Sequence, residues 1–259
     1  MSIAAPPVRR HVRVEHLMGT VVSFDVRAGG ARAEAAVDDA VVWLRDVEER
    51  FSTYRADSEI SRIDRGELAV ADASAGVRRV LARCAELREQ TGGFFDAHAG
   101  GRLDPSALVK GWAVQRGADL LGLGGLTDFS LTAGGDLVVR GGALPARRWR
   151  VGIQHPLDRQ AVAATIEVTD LAVATSGAYE RGEHLVDPHR GAAPGDVLSV
   201  TVAGPDLGTA DAYSTAAYAM GADGPAWTLG LAGYEAMTIL TDHTVLCTPG
   251  FPLDDEAVA

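Results

Sequence analysis

Cysteine is scarce in this 259-residue sequence, which contains only Cys84 and Cys247. A framework of several disulfides is therefore excluded. Cys84 falls in a helical pattern and Cys247 in a strand pattern, which leaves a single bridge or two buried thiols. We expect two buried thiols, because a chain of this length buries roughly 70–75% of its unfolded surface and folds without a covalent link.

Long apolar runs are also missing. No stretch reaches the roughly 18 consecutive apolar residues that a membrane-spanning helix needs. The first residues contain no apolar segment of signal-peptide length. We therefore expect a cytoplasmic protein that makes no membrane contact.

Positive charge is limited to 24 Lys and Arg against 35 Asp and Glu, which gives a formal net charge of −11. Adjacent basic residues occur only as pairs, at Arg9-Arg10, Arg78-Arg79 and Arg147-Arg148. Proteins that bind nucleic acids usually present a basic face, so we exclude that class. An acidic protein can still bind a phosphorylated ligand through a few placed cations and backbone N–H groups.

The remaining composition is that of an ordinary globular protein, with 47% hydrophobic and 23% charged residues. The length corresponds to between one and two domains. We find no internal repeat, low-complexity tract or linker, and expect a single domain over 1–259 or two intimately packed lobes.

The first half of the sequence has helical periodicity. Residues 31–51 and 74–90 each carry an apolar stripe, which predicts two long amphipathic helices. A third helix begins at Asp104-Pro105, where we expect Asp104 to be the N-cap and Pro105 the first helical residue.

The second half is rich in strands. Alternating or continuous apolar runs fill residues 127–203, a helix is predicted over 210–220, and a final hairpin over 235–246. Residues 12–28, near the start of the chain, indicate a bent strand or a pair of strands. Long helices followed by a strand-rich half predict an α+β fold with antiparallel pairing.

The first candidate site lies on the third helix. Asp104, Ala107 and Lys110 follow one another at intervals of three, which keeps them on one helix face. Lys110 is the only lysine in the chain, and apolar residues flank it. A surface N-cap with a solvated lysine is the alternative, but this setting is not typical of a solvated lysine.

The second candidate is the segment Thr132-Ala133-Gly134-Gly135-Asp136, whose glycine pair lies between two strand patterns. Paired glycines allow the backbone to approach a ligand closely and can form an anion-binding nest. They serve equally well in a hairpin turn.

The third candidate combines the segment 174–177, which contains Thr175 and Ser176, with a downstream segment that contains His184, Asp187 and His189. His184 and Asp187 are three residues apart and could pair as a general base and the group that orients it. An ordinary loop histidine is the alternative. The spacing of His184 and His189 does not match a helical zinc motif, so we exclude a zinc protease.

The fourth candidate is Asp211 with Ser214 and Thr215, at helical positions that share a face. One carboxylate and two hydroxyls form a hard oxygen set suited to Mg²⁺. Buried hydroxyls that bond back to helix carbonyls are the alternative.

Taken together, these segments resemble one family, the FAD:protein FMN transferases or ApbE flavin transferases. Eight segments match in family order over nearly the whole chain. They are HLMGT at 16–20, FSTYRADSEISRI at 51–63, GGFFD at 92–96, LDPSALVKGWAV at 103–114, TAGGD at 132–136, ATSGAYE at 174–180, HLVDPHRG at 184–191 and ADAYSTAAYAMG at 210–221.

The resemblance implies an α+β fold related to the T-fold and a reaction in which FAD and Mg²⁺ bind, the FAD pyrophosphate is cut, and FMN is attached through its phosphate to a threonine of an acceptor protein. It implies FAD-binding positions at Met18, Tyr54, Phe94, Phe95, Asp96, Asp104, Lys110, Gly134, Gly135, Ser176 and Leu185. It also implies a metal site formed by the Ala107 carbonyl with Asp211, Ser214 and Thr215, and a general base at His184.

Two departures from the family pattern matter. Only residues 97–103 separate the FFD-like and DPSALVK-like motifs, whereas many members have a long segment there. Many members are also exported or lipid-anchored, whereas we expect this protein to be cytoplasmic. An FAD pyrophosphatase that yields FMN and AMP, and a non-catalytic FAD-binding protein, are the alternative functions; the metal positions and His184 favour catalysis.

Overall fold

The computed structural model describes residues 9–143, 148–177 and 186–254. The chain begins with an antiparallel hairpin of β1 (His11–Leu17) and β2 (Thr20–Val26), in which Leu17 pairs with Thr20. Met18 and Gly19 form the two-residue turn, with φ of 54° and 70°. Such turns require positive φ at both central residues. Residues 12–28 are therefore a strand pair rather than one bent strand.

Four helices follow, and the predicted apolar stripes account for the long ones. They are α1 (Ala31–Phe51), α2 (Glu59–Asp64), α3 (Ala75–Gln90) and α4 (Ser106–Leu123). The expected N-cap of α4 is wrong by one residue, because Pro105 occupies that position. Asp104 still satisfies the helix start, since its Oδ1 accepts the Ser106 N–H at 2.9 Å.

The second half supplies most of the strands, as predicted. In chain order it contains β3 (Phe129–Ala133), β4 (Asp136–Arg140), β5 (Trp149–His155), β6 (Asp158–Val168), β7 (Leu171–Gly177), β8 (Val197–Gly204), α5 (Leu207–Ala219), α6 (Gly224–Thr228), β9 (Glu235–Leu240) and β10 (Val245–Cys247). Short 3₁₀ turns lie at Val70–Asp72 and Gly221–Asp223. The predicted final hairpin is confirmed, with His243 at a φ of 68° in its turn.

Eight of these strands form one antiparallel sheet in the order β1-β2-β3-β4-β7-β8-β9-β10, and β5 and β6 form a separate two-stranded sheet. One face of the large sheet packs against α1, α4 and α5, and the other face packs against β5 and β6. Adjacent residues show the division, since Val138 lies in the helix-side core and Val139 in the core beneath the small sheet. The predicted α+β class with antiparallel sheets and packed helices is confirmed.

The thiols depart from the expectation at one position. Cys84 is buried, as predicted, but Cys247 is exposed. Cys247 lies on β10, the edge strand, all of whose residues are exposed. Neither cysteine is in a disulfide. Among the helices in the described ranges, none is long and apolar enough to cross a membrane.

Candidate functional site

A cavity of about 340 Å³ opens where the first turns of α4 meet α5 and the end of β7. The loops that follow α1 and α3 close its outer side. Ten of the sixteen predicted site residues line it: Tyr54, Phe94, Phe95, Asp96, Asp104, Ala107, Lys110, Ser176, Asp211 and Thr215. The sequence therefore located the main pocket, although its residues are spread over more than 160 positions of the chain.

The helical spacing of Asp104, Ala107 and Lys110 has the predicted consequence, since all three face this pocket. Asp211 reaches the same pocket from α5. Its Oδ2 accepts the backbone N–H of Gly111 at 3.1 Å. Gly111 has to be glycine for this approach, because a Cβ there would lie 2.5 Å from the Leu207 carbonyl oxygen.

Three charged side chains meet at the inner end of the pocket. Lys110 Nζ lies 2.6 Å from Asp136 Oδ2 and 3.9 Å from Asp211 Oδ1. Asp136 is fully buried, and its Oδ1 accepts the Thr175 N–H at 3.1 Å. One cation and two carboxylates leave a formal charge of −1 in a region that is largely shielded from water. Buried charge of this kind favours binding of a further cation.

Hydroxyl groups form a chain along α5 and β7. Ser176 Oγ lies 2.8 Å from Ser214 Oγ and 3.2 Å from Thr215 Oγ1. Ser214 also donates to the Asp211 carbonyl at 2.9 Å, which is the helix back-bonding that we considered as the alternative. Ser214 is fully buried behind the pocket surface, while Ser176 and Thr215 reach it.

Aromatic side chains form the outer part of the pocket. Tyr54 is 95% exposed at the rim, whereas Phe95 is buried at its base. The Phe94 ring packs edge-on against His189, with 4.6 Å between ring centroids. The Nε2 atom of His189 lies 3.1 Å from the carbonyl oxygen of Gly92, which fixes the imidazole against the loop that carries Phe94.

Asp96 is held by two partners at the same rim. Its Oδ2 accepts Arg88 Nε–H at 3.0 Å, and its Oδ1 accepts the backbone N–H of His98 at 2.9 Å. The short segment that follows is anchored by Asp64, which accepts the Leu103 N–H at 2.7 Å and Arg102 Nε–H at 3.2 Å. These bonds to Leu103 and Arg102 hold the pKa of Asp64 below its ordinary value.

Four described residues of the predicted set do not line the pocket: Met18, Gly134, Gly135 and Ser214. The Met18 N–H donates to Glu48 Oε1 at 3.1 Å in the β1–β2 turn. Gly134 and Gly135 form the β3–β4 turn and line a second cavity of about 210 Å³. Thr175 lines both cavities. The remaining two predicted residues, His184 and Leu185, lie outside the described residues.

Sequence reasoning missed the side-chain role of Asp136 and the shared position of Thr175. The signal for Asp136 was present, because an only lysine in an apolar setting requires a counter-ion. Thr175 lies within the candidate segment 174–177, but no local pattern distinguishes it from the other residues of a buried strand.

The fold and the pocket define an α+β protein with a deep cleft that combines a buried lysine, carboxylates, hydroxyls and aromatic rings. The model of the ApbE family matches residues 18–102 and 97–238 of the chain. The chain therefore belongs to the ApbE family.

Curated proteins similar in sequence to this chain are FAD:protein FMN transferases. An FAD:protein FMN transferase of Vibrio cholerae is 34% identical over 159 residues, which cover 58% of this chain and 46% of that protein. The chain spans about half the length of the curated relatives it matches.

Two solved structures share the fold. The ApbE protein of Thermotoga maritima superposes with a TM-score of 0.85 at 20% identity, over 93% of this chain and 97% of the other. The flavin transferase ApbE of Vibrio cholerae gives a TM-score of 0.84 at 24% identity, over 95% and 99% of the two chains.

Proposed function

We propose that this chain is a Mg²⁺-dependent flavin transferase, which cleaves FAD and attaches FMN through its phosphate to a threonine of an acceptor protein. The names of its relatives support flavin transfer. The observation that carries the proposal is the charge of the pocket. Lys110 is already paired with Asp136 at 2.6 Å, and Asp211 adds a second carboxylate nearby. A pyrophosphate would bring more negative charge, which a divalent cation has to offset.

The residues that line the pocket fit such a cation. Asp211 and Thr215 provide a carboxylate and a hydroxyl, and Ala107 provides a carbonyl oxygen from the facing helix. These are hard oxygen donors of the kind that Mg²⁺ prefers, and substrate phosphates and water ordinarily complete its coordination. Bound there, Mg²⁺ would supply neutralisation of the charge that develops on the leaving phosphate. Ser214, the fourth residue of the predicted metal site, is fully buried and does not line the pocket, so its role as a ligand stays a prediction.

The other pocket residues have separate tasks in this proposal. Tyr54, Phe94 and Phe95 offer aromatic surface for the flavin or adenine ring. Lys110 holds a positive charge at the inner end, where it can attract a phosphate oxygen. Asp136 keeps that ammonium in place while its other oxygen holds the backbone of β7.

The group transfer itself forms one bond and breaks one. The acceptor threonine oxygen bonds to the phosphorus of the FMN half, and the bond from that phosphorus to the bridging oxygen breaks, so that AMP leaves with the bridging oxygen. The hydroxyl proton passes to a base. We assign this base to His184 on the family resemblance, since imidazole titrates near neutral pH.

The test uses the purified chain with FAD, MgCl₂ and a protein extract from cells that express it. We expect a flavin-fluorescent protein band that survives denaturing electrophoresis, together with AMP in equal amount. AMP and free FMN without such a band would instead identify an FAD pyrophosphatase. Bound FAD with no AMP would identify a flavin-binding protein.

Asp211→Asn tests the metal component. The amide oxygen can still accept the Gly111 N–H, so the helix contact survives while the negative charge is lost. We expect the Mg²⁺-dependent rate of AMP release to fall at least about 100-fold, because a metal supplies several kcal/mol of charge stabilisation. Wild-type turnover by this variant after EDTA treatment would show that no metal acts at Asp211.

A further inference from the structure

The strand β5 has one free edge. It pairs with β6 on one side, and within the described ranges it pairs with no strand on the other. An edge strand presents backbone N–H and C=O groups that another extended chain can bond.

The register identifies which residue offers those groups. Gly152 pairs with Thr165 across the two strands. The Thr165 carbonyl accepts the Asp254 N–H at 2.9 Å on the far side of β6, so Thr165 points its backbone groups away from β5. In an antiparallel pair, both partners of such a position point outward. Gly152 therefore directs its N–H and C=O toward the free edge.

The free edge opens onto the second cavity. Gly152 lines this cavity of about 210 Å³ together with the Gly134-Gly135 turn and the strand residue Val173. Gly152 is exposed and has no side chain to block an approaching backbone. Thr175 lines both the second cavity and the main pocket.

We propose that the free edge of β5 binds an extended segment of the acceptor protein as an added strand, and that the second cavity admits those of its side chains that are uncharged and face it. The threonine of this segment then enters the main pocket past Thr175. This inference rests on the proposed transferase function and names the site at which its second substrate binds.

The chemistry of the second cavity favours a peptide, rather than a part of FAD, as its occupant. None of the described residues that line it is charged, whereas the described lining of the main pocket includes Asp96, Asp104, Asp211 and Lys110. Phosphate groups therefore gain nothing there. A free strand edge matches a peptide backbone, whose alternate side chains would project into a neutral cavity.

The test compares Gly152→Pro with Gly152→Ala. Proline removes the N–H at the free edge and is tolerated on edge strands. Alanine retains the N–H, and its Cβ would meet only Val162 at an ordinary 3.4 Å. The probe is a pool of short synthetic peptides with a central threonine and randomised flanking residues. Mass spectrometry measures the initial rate of FMN–peptide formation.

We expect transfer to peptide to be about tenfold slower in Gly152→Pro than in Gly152→Ala, the factor for one or two lost hydrogen bonds. FAD affinity should be equal in the two variants, because Gly152 does not line the main pocket. Equal peptide rates would overturn the inference. A parallel loss of FAD affinity would also overturn it, since the second cavity would then belong to the flavin.

A second measurement does not depend on how the proline variant folds. Wild-type protein is given peptides that are N-methylated at one backbone position each. Strand addition predicts that methylation slows transfer at every second position, because alternate N–H groups face β5. A uniform effect, or transfer to folded proteins of the extract but to no peptide, would overturn the strand site while leaving the transferase function intact. No flavinylated protein at all would refute the transferase function itself.

Discussion

At the scale of single residues, the only lysine of the chain is the centre of the site. Lys110 has a side chain that is 12% exposed, and it lies between Asp136 and Asp211. A buried ion pair contributes little net stability when complete, but removal of one partner leaves an uncompensated charge. Lys110 therefore links the stability of the fold to the electrostatics of the pocket.

We predict that Lys110→Met lowers the free energy of unfolding by about 3–5 kcal/mol, because two buried carboxylates lose their counter-ion. Urea denaturation measures the change. Arg150→Met is the control, since Arg150 is 64% exposed and lies 3.8 Å from Glu167 and 3.3 Å from Asp254. We expect Arg150→Met to lower the free energy of unfolding by less than about 1 kcal/mol. Equal stability of the two variants would contradict the buried-pair argument.

A second residue-scale prediction concerns His184. If it is the general base, His184→Ala should slow transfer by about 10²–10⁴-fold with little change in FAD affinity, because a base acts mainly in the transition state. The comparison is His184→Asn, which restores a hydrogen bond but no basicity. Recovery of transfer by His184→Asn, or weaker FAD binding in parallel with the rate, would assign His184 to loop structure instead.

At the scale of secondary-structure elements, the contact between α4 and α5 positions the site. Glycine on each helix allows the approach. A Cβ at Gly111 would meet α5 backbone at 2.5 Å, and one at Gly208 would lie 3.2 Å from Trp112 backbone. The close crossing allows Asp211 of α5 to accept the Gly111 N–H of α4. The separation of the two helices therefore sets where the Asp211 carboxylate lies.

We predict that Gly111→Ala destabilises the protein by about 1–3 kcal/mol, the usual cost of overpacking. It should also reduce the Mg²⁺-dependent rate, because the methyl group would displace Asp211. Gly122→Ala in the same helix is the matched control, since a Cβ there meets nothing within 4 Å. Alanine should stabilise that position by up to about 1 kcal/mol through helix propensity. A melting temperature of Gly111→Ala equal to or higher than that of Gly122→Ala would contradict the predicted overpacking at Gly111.

At the scale of the whole molecule, the large sheet is buried on both faces over its middle strands and uncovered at its edges. β7 is buried along nearly its full length, whereas β10 is exposed throughout. The two thiols lie in these two kinds of environment. Cys84 is buried in the helix-side core, and Cys247 is exposed on β10. Burial raises the pKa of the Cys84 thiol to about 12.

We predict that a thiol reagent such as iodoacetamide labels one cysteine per native chain at neutral pH, and that this cysteine is Cys247. Cys84 should react only when the chain unfolds, because it is inaccessible and its thiol stays protonated. Peptide mapping after labelling with and without urea identifies the sites. Rapid native labelling of Cys84 would show that α3 detaches from the core.

Much of the site could be predicted from the sequence because its chemistry is local to helices. The 3.6-residue period alone places Asp104, Ala107 and Lys110 on one face, and the same period brings Asp211 and Thr215 together on α5. The strand-rich second half likewise follows from apolar alternation and glycine turns. Periodicity is a property of neighbouring residues, so no tertiary information is needed to read it.

Only the tertiary structure decided which of these groups face the pocket. Asp136 reaches Lys110 because β4 lies beneath α4, and Ser214 turns to Ser176 because β7 lies beneath α5. Met18 matches the family pattern but belongs to a turn outside the pocket lining, and Cys247 is exposed because β10 is an edge. The free backbone of Gly152 depends on how β5 pairs. Each of these facts joins residues distant in sequence, and short-range periodicity carries no information about such contacts.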